Sequence, residues 1–188
     1  MPQYFGALTL VLMLGMVLIR ARMINRKGTQ ALHFGKADKS DFLIPPFALF
    51  YFYTVFAAAF GLPTLSTQRF FWSQTVSWAG AFLCLTGLAL LLWSLISFGQ
   101  SFRVGIDAER PEKLITTGVF AFSRNPIYVA FALILLGQFL ISPNWLLLVY
   151  AGTGAWLFHR QVLREEAFLT QHYGQEYTAY RNRVKRYF

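Results

Sequence analysis

The chain has 188 residues, of which 56% are hydrophobic and only 13% are charged. Soluble domains typically carry about a quarter charged residues, so this composition excludes an ordinary soluble fold and predicts a single membrane domain over residues 1–188. The formal net charge is +9. Membrane topology and attraction to anionic lipid account for such an excess of Lys and Arg, and nucleic-acid binding is not expected.

Four uncharged runs organise the chain, at residues 1–19, 42–68, 70–102 and 125–158. A helix needs about 20 apolar residues to cross a bilayer, so each of the first three runs holds one span. The fourth run is broken by the turn sequence Ser142-Pro143-Asn144, which predicts a helix-turn-helix hairpin made of spans four and five. The two arms are short for a full crossing, which leaves open a hairpin whose tip stops at the outer interface.

We therefore predict an all-α integral membrane fold of about five transmembrane helices. Their expected bounds are about 3–20, 42–62, 75–98, 126–141 and 145–163. Residues 1–19 have neither a preceding positive region nor a following cleavage site, so they are interpreted as a span rather than a signal peptide.

The basic residues predict the orientation of these spans. Six Lys and Arg follow the first span, four lie between the third and the fourth, and six follow the fifth, so Arg69 is the exception among 17. Cytoplasmic loops retain positive charge during insertion. The N-terminus is therefore predicted outside, with the C-terminus and the charged surface of the protein on the cytoplasmic side.

The segment 164–188 predicts a C-terminal amphipathic helix. Apolar and aromatic residues recur in it at spacings of three and four: Leu169, Tyr173, Tyr177, Tyr180 and Val184. We expect this helix to lie in the headgroup region, with Gly174 as a point of interruption. Its anchors would be the tyrosines together with Arg181, Arg183, Lys185 and Arg186.

Two polar features are difficult to explain as membrane packing. Arg124 stands directly before span four, and Glu165 and Glu166 are adjacent at the inner end of span five. Adjacent carboxylates at a membrane boundary are costly unless they are solvated or paired. Because a hairpin brings the ends of its arms together, these residues predict a polar pocket at the cytoplasmic mouth of the bundle. Alternatively, Arg124 pairs with one of the glutamates only to clamp the hairpin.

Two stretches of the region 99–188 carry a family resemblance. They read Lys113-Leu114-Ile115-Thr116-Thr117-Gly118-Val119-Phe120-x3-Arg124-Asn125-Pro126-x-Tyr128, and Glu165-Glu166-x2-Leu169-x4-Gly174-x2-Tyr177-x2-Tyr180-x3-Val184. In order, spacing and intervening hairpin, this combination resembles the isoprenylcysteine carboxyl methyltransferase and phospholipid methyltransferase group. The resemblance implies an integral membrane enzyme that transfers a methyl group from S-adenosyl-L-methionine to a lipophilic acceptor.

The resemblance also implies which residues form the site. The residues expected to bind S-adenosyl-L-methionine are Glu112, Lys113, Leu114, Ile115, Gly118, Phe120, Asn125, Pro126, Ile127, Tyr128, Glu165 and Glu166. Arg124 and Glu165 would be catalytic, with Arg124 organising the pocket and Glu165 holding the cationic end of the cofactor. Methyl transfer is an in-line displacement that needs alignment and a dry site. It needs no metal, and the scattered His33, His159 and His172 predict no zinc site.

The chain departs from the family pattern at three positions. Relatives often have His at the position of Asn125 and Tyr at that of Phe120. The carboxyl methyltransferases place an Arg at the position of Gln161, where it engages the acceptor carboxylate. Arg160 and Arg164 are the nearby basic residues, and the acceptor remains open between a carboxylate, an amine and a thiol.

Two other functions stay open from the sequence. A membrane reductase with a nicotinamide cofactor would share the hairpin, since sterol-reductase-like proteins resemble it, although the loop has few clustered Arg for a 2′-phosphate. A non-catalytic membrane subunit would use Arg124 and a glutamate only as a staple. We expect a monomer in which glycines such as Gly80, Gly87, Gly152 and Gly154 serve close packing within the chain.

Overall fold

The computed structural model describes residues 1–25, 44–63, 69–99 and 114–188. Within these ranges lie six α-helices and a 3₁₀ turn at Gly118–Ala121. The helices are α1 Pro2–Asn25, α2 Ile44–Phe60, α3 Gln74–Phe98, α4 Pro126–Ile141, α5 Trp145–Tyr173 and α6 Gln175–Arg183. The described residues form no β-strand, only an isolated bridge between Arg69 and Asn144. The all-α prediction is confirmed for this part of the chain.

Apolar helices dominate the described residues. Two of them are long and apolar enough to cross a bilayer, Pro2–Met23 and Gln74–Phe98, and two shorter ones are Pro46–Phe60 and Pro126–Ile141. Large apolar side chains on α3 face outward, with Phe82 68% and Ile96 66% exposed. Contiguous apolar surface of this kind is normally covered by lipid or another apolar partner. A helical membrane protein is thus supported, while the five crossings and their orientation stay predictions.

Helices α3 and α4 pack backbone against backbone because glycines line their contact. A Cβ atom on Gly80 would lie 2.6 Å from the carbonyl oxygen of Gly137, and one on Gly87 would lie 2.9 Å from that of Ala130. Small residues permit this close approach between helices in a membrane. Gly80 and Gly87 therefore pack within the chain, as predicted.

The other two glycines of that prediction lie on α5 and differ from each other. A Cβ atom on Gly154 would lie 2.4 Å from Cδ1 of Leu135, so Gly154 also serves packing within the chain. Gly152 is exposed, and a Cβ atom on it would have no neighbour within 4 Å. The prediction that Gly152 serves close packing within the chain is therefore wrong for the described residues.

The turn between α4 and α5 forms the predicted hairpin. Asn144 begins α5 by accepting a hydrogen bond from the Leu147 N–H at 2.9 Å, and its amide donates to the Ser142 carbonyl at 2.9 Å. The Phe70 N–H donates to the Pro143 carbonyl at 2.9 Å, so the segment before α3 lies beside this turn. At the opposite end of the hairpin, the N-cap and first turn of α4 contact Glu165 and Glu166 of α5. The polar end is therefore the end remote from the turn.

The C-terminal region differs from the prediction. α5 continues to Tyr173, ten residues beyond the expected end of span five, because no Gly or Pro interrupts residues 164–173. It ends at Gly174, whose φ of +53° is a conformation that favours glycine. α6 then buries Tyr177 and Tyr180, which are 1% and 3% exposed. The prediction that these tyrosines anchor a helix among lipid headgroups is wrong, since they pack inside the protein.

Replacing Gly80 by Ala should destabilise the protein, because the added methyl group would lie 2.6 Å from the Gly137 carbonyl oxygen and force α3 and α4 apart. We expect a lower melting temperature in detergent, corresponding to a loss of about 1–3 kcal/mol. The matched control is Gly152→Ala on α5, where the new methyl group meets no atom within 4 Å. The control should be neutral or slightly stabilising. Equal melting temperatures for the two variants would contradict the backbone contact.

Candidate active site

The site is built around the start of α4. Pro126 occupies the first helical position, where its fixed φ suits a helix N-terminus and its missing N–H costs nothing. The Ser123 hydroxyl accepts a hydrogen bond from the Asn125 N–H at 3.2 Å. The Arg124 N–H donates to the Lys185 carbonyl at 3.1 Å. These contacts hold the backbone so that the side chains of Arg124 and Asn125 reach α5.

Glu166 lies at the centre of a buried polar network. Its side chain is 8% exposed. Oε1 accepts from Nη2 of Arg124 at 3.1 Å and from Nδ2 of Asn125 at 3.1 Å. Oε2 accepts from Nε and Nη2 of Arg186 at 3.0 Å and 2.9 Å. The predicted contact of Arg124 with the glutamate pair is therefore present, and Glu166 is the partner.

Arg124 has donor groups that this network does not use. Its side chain is 7% exposed, and its Nε and Nη1 are buried without a hydrogen-bond partner among the described residues. The hydroxyl of Tyr177 is in the same condition. Burial and the negative charge of Glu166 raise the pKa of Tyr177, and the positive charge of Arg124, whose guanidinium lies beside the Tyr177 hydroxyl, counteracts part of this rise. Buried donors without partners are costly, at about 1–3 kcal/mol each, so a polar partner supplied to these groups would stabilise this part of the protein.

Glu165 has a different set of partners from its neighbour. Its Oε1 accepts from the Tyr128 hydroxyl at 2.5 Å and from Nε2 of Gln161 at 3.0 Å. Tyr128 lies in the first turn of α4, and Gln161 lies one turn before Glu165 on α5. Within the described ranges, Oε2 of Glu165 accepts no hydrogen bond. Among the described residues, one oxygen of Glu165 is therefore fixed by two donors and the other receives none.

The environment of Glu165 changes its acidity. Burial raises the pKa of its carboxyl group, and the hydrogen bonds from Tyr128 and Gln161 counteract part of that rise. Burial disfavours the charged form of an acid, whereas hydrogen bonds to the carboxylate favour it. A carboxylate held in such a setting is stabilised by any cation that reaches it.

Aromatic rings surround these polar groups. The ring of Tyr128 lies 5.9 Å from that of Phe158 on α5, and Phe158 lies 5.6 Å from Phe131. On the other side, the ring of Phe120 meets that of Phe98 at 4.6 Å. The hydroxyl of Tyr180 donates to the Phe120 carbonyl at 2.7 Å. The walls of the site are thus apolar, which limits access of water.

The remaining predicted cofactor residues lie in different local environments. Gly118 has a φ of +65°, and a Cβ atom on it would lie 2.4 Å from Oγ of Ser97, so this position requires glycine. Ile127 packs into the apolar cluster of α1 and α3. Leu114 and Ile115 are half-buried. Glu112 and Lys113 lie outside the described residues.

The position that the resemblance assigns to an Arg has another use here. Gln161 donates its amide to Glu165, as described above. Arg160 is exposed and its guanidinium lies 5.7 Å from the ring of Trp156. Arg164 is also exposed. The described contacts therefore place neither basic neighbour on Glu165.

Sequence reasoning missed Arg186, which supplies two of the four donors to Glu166. The sequence pattern places it among the basic residues expected to face lipid headgroups. The signal that distinguishes it is weak, because it depends on the extended segment after α6 returning to the start of α4. Two further contacts hold this segment: the Arg186 carbonyl accepts from Nδ2 of Asn125 at 3.1 Å, and the Tyr187 hydroxyl lies 2.6 Å from Nδ1 of His159.

A family model described as phospholipid methyltransferase matches residues 75–176. This match includes the start of α4 and both glutamates. It does not include Arg186.

Similar proteins carry a related name. The chain is 32% identical over 119 residues to the protein-S-isoprenylcysteine O-methyltransferase of Schizosaccharomyces pombe, a match that covers 62% of this chain and 50% of that protein. It is 31% identical over 112 residues to a probable protein-S-isoprenylcysteine O-methyltransferase of Oryza sativa subsp. indica, a match that covers 58% of this chain and 59% of that protein. It is 28% identical over 140 residues to the protein-S-isoprenylcysteine O-methyltransferase of Rattus norvegicus, a match that covers 70% of this chain and 49% of that protein. The chain thus spans about half the length of the curated relatives it matches.

Exchanging each glutamate for glutamine should separate the roles of the two neighbours. Glu166→Gln removes the charge that Arg124 and Arg186 share, and breaking a buried ion pair costs about 3 kcal/mol or more. Glu165→Gln keeps an acceptor oxygen for Tyr128 and Gln161 and removes a charge that burial disfavours. We expect a lower melting temperature in detergent for Glu166→Gln and an unchanged or higher one for Glu165→Gln. The reverse order would contradict the assignment of Glu166 as the structural partner.

Proposed function

Because the chain belongs to the phospholipid methyltransferase family, we propose that it transfers a methyl group from S-adenosyl-L-methionine to a lipophilic acceptor in the membrane. The observation that carries the proposal is a pair of polar groups with unused hydrogen-bonding capacity among the described residues, one just before α4 and one on the facing part of α5. Arg124 has two buried donors without partners, and Oε2 of Glu165 accepts no hydrogen bond within the described residues. Opposite charges with unused hydrogen-bonding capacity suit a ligand that carries both signs.

The chemistry of S-adenosyl-L-methionine fits this pair. Its amino-acid end has a carboxylate and an ammonium, and its sulfur is a sulfonium. The buried donors of Arg124 suit the carboxylate, and the second oxygen of Glu165 suits the ammonium, which S-adenosylhomocysteine also carries. The aromatic faces of Tyr128 and Phe158 suit a cation as well. Glu166 already has four donors, so we assign it to the support of Arg124 rather than to direct contact.

The residues of the chain would contribute alignment and exclusion of water. The bound cofactor supplies an electrophilic methyl group on its sulfonium. Tyr128 and Gln161 fix the direction of Glu165, and Glu166 fixes the direction of Arg124. Alignment of two reactants in a dry site accounts for a large part of the catalysis of a displacement reaction. Methyl transfer by displacement needs no metal, so the proposed roles of these residues are alignment and exclusion of water.

The acceptor is proposed as a lipophilic molecule that enters from the bilayer, while the cofactor enters from the cytoplasm. The relatives are named for isoprenylcysteine. In this chain Gln161 is neutral and donates to Glu165, so it does not provide a cation for an acceptor carboxylate. The accepting atom therefore remains one of a carboxylate oxygen, an amine and a thiol.

The membrane arrangement is part of the proposal. We propose five crossings, with the N-terminus outside and the active site at the cytoplasmic face, in a monomer. Two observations support it. The basic residues of the described chain other than Arg69 lie toward the polar end, and Arg69 lies beside the hairpin turn at the other end. The glycines Gly80 and Gly87 are used for contacts within the chain.

The proposal is tested by calorimetric binding of S-adenosylhomocysteine to the purified protein in detergent. We expect saturable binding by the wild type, and a Kd raised by roughly tenfold or more in Glu165→Gln, which loses a charge-assisted contact. Tyr128→Phe removes one of the two hydrogen bonds that orient Glu165 and should weaken binding less. Gln175→Ala, an exposed residue at the start of α6, serves as the control.

The outcomes of that experiment separate three functions. If the folded wild type ignores S-adenosylhomocysteine but binds NADPH, a reductase replaces the methyltransferase. If it binds neither, the Arg124–Glu166 contact is the staple of a non-catalytic subunit. Binding that Glu165→Gln leaves unchanged would show that the cofactor lies elsewhere.

Cofactor affinity should rise with pH through the range in which Glu165 loses its proton. Burial raises the folded pKa of this carboxyl group above its ordinary value of 4.5. A cationic ligand prefers the carboxylate, so binding below the raised pKa releases a proton and is weaker. Affinity therefore reaches its plateau above that pKa. Kd values measured at increasing pH from the ordinary value of 4.5 upward should fall to a plateau for wild type and show no such fall for Glu165→Gln. The same pH dependence in both proteins would exclude Glu165 as its source.

A further inference from the structure

The segment 184–188 follows α6 and runs back over the start of α4. Its backbone carbonyls accept hydrogen bonds from the Arg124 N–H at 3.1 Å, through Lys185, and from the Asn125 side chain at 3.1 Å, through Arg186. The Ser123 hydroxyl donates to the same Arg186 carbonyl at 3.4 Å. The segment is thus attached to the loop that presents Arg124. It is more than a surface extension of α6.

The side chain of Arg186 completes this attachment. Its Nε and Nη2 both donate to Oε2 of Glu166, at 3.0 Å and 2.9 Å. Arg186 is 38% exposed, whereas Glu166 and Arg124 are 8% and 7% exposed. Arg186 therefore lies at the partly exposed edge of the buried network and supplies the donors for Oε2 of Glu166.

This arrangement has a consequence for Arg124. Arg124 reaches Glu166 with one nitrogen, Nη2, on Oε1, and Oε2 is fully used by Arg186. Without Arg186, Oε2 would be a buried carboxylate oxygen without a donor, which is costly. In that case the side chains of Arg124 and Glu166 would rearrange so that the unused Nε or Nη1 of Arg124 donates to Oε2 of Glu166.

We propose that Arg186 is a positioning residue for cofactor binding: by occupying Oε2 of Glu166, it limits Arg124 to one contact with that carboxylate and leaves Nε and Nη1 of Arg124 for the ligand. This inference rests on the proposed function and extends it to the segment 184–188, which lies beyond the matched region 75–176. Arg186 itself does not contact the ligand. It acts through Glu166 on Arg124.

The test is a double-mutant cycle between Arg186 and Glu166, with Arg183→Gln as the matched control. Arg183 is exposed, lies three residues before Arg186 and carries the same charge. Two quantities are measured for each protein: the Kd for S-adenosylhomocysteine and the melting temperature without ligand. We expect Arg186→Gln to raise the Kd by roughly tenfold and Arg183→Gln to leave it within about twofold.

The cycle distinguishes positioning from general destabilisation. If Arg186 acts through Glu166, then Arg186→Gln added to Glu166→Gln should change the Kd little further, because the carboxylate oxygen that it occupies is gone. Independent, multiplying effects on the Kd would overturn the inference. So would a Kd for Arg186→Gln equal to that of the folded wild type, and in that case the proposed function stands. A wild type that does not bind S-adenosylhomocysteine would overturn both.

A second variant keeps the test decisive if Arg186→Gln does not fold. Arg186→Lys retains the charge but cannot place two nitrogens of a planar group on Oε2. We expect its melting temperature to approach that of wild type while its Kd is raised by roughly threefold. A Kd identical to that of wild type would overturn the requirement for arginine at this position.

Discussion

The carboxylate of Glu166 is the constraint on which the functional half of the structure depends. A carboxylate that is 8% exposed needs donors on both oxygens. Here the donors come from three residues in two segments: Arg124 and Asn125 in the loop before α4, and Arg186 in the extended residues after α6. Because one group must be satisfied by all three, their relative positions are fixed together. Glu166 therefore couples three features of the structure: the hairpin, the direction of the Arg124 side chain and the path of the segment 184–188.

Adjacent glutamates acquire separate roles from the geometry of the helix that carries them. Successive residues on an α-helix point about 100° apart, so Glu165 and Glu166 face different neighbours. Gln161 lies four residues before Glu165, on the same face, and supports it from within α5. Tyr128 supports it from α4. A repeated residue in the sequence thus corresponds to one group that is fully paired and another that retains an available oxygen.

The sequence was sufficient to predict the local and the antiparallel parts of this arrangement. The turn at Ser142-Pro143-Asn144 predicts a hairpin, and a hairpin of two similar arms brings Arg124 near the glutamate pair, as the structure confirms. Gly80 and Gly87 indicated close packing, although their partner helix was not evident because small residues do not specify what approaches them. The identity of the glutamate that pairs with Arg124 could not be predicted either, since it depends on the rotation of α5 about its axis. The route of the chain after Gly174 depends on one backbone angle and then on contacts with residues about 60 positions earlier. No sequence period reports such contacts, so Arg186 appeared as one basic residue among several.

Arg124, just before α4, and Glu165, within α5, carry opposite charges, yet they do not pair with each other in the part of the chain that the structure describes. In a flexible pocket of low dielectric such groups would attract one another strongly and form an ion pair. Here Glu166 holds the guanidinium of Arg124 from one side, while Tyr128 and Gln161 hold the carboxylate of Glu165 from another. The supports therefore keep apart two groups that each have capacity left for a partner. Such fixed, incompletely satisfied polar groups among apolar walls are the arrangement in which a charged ligand is bound without reorganisation of the protein. The hydrogen bonds of Glu166 hold the Arg124 side chain away from Glu165. Loss of these bonds would therefore also reduce the capacity of Arg124 and Glu165 to bind a charged ligand.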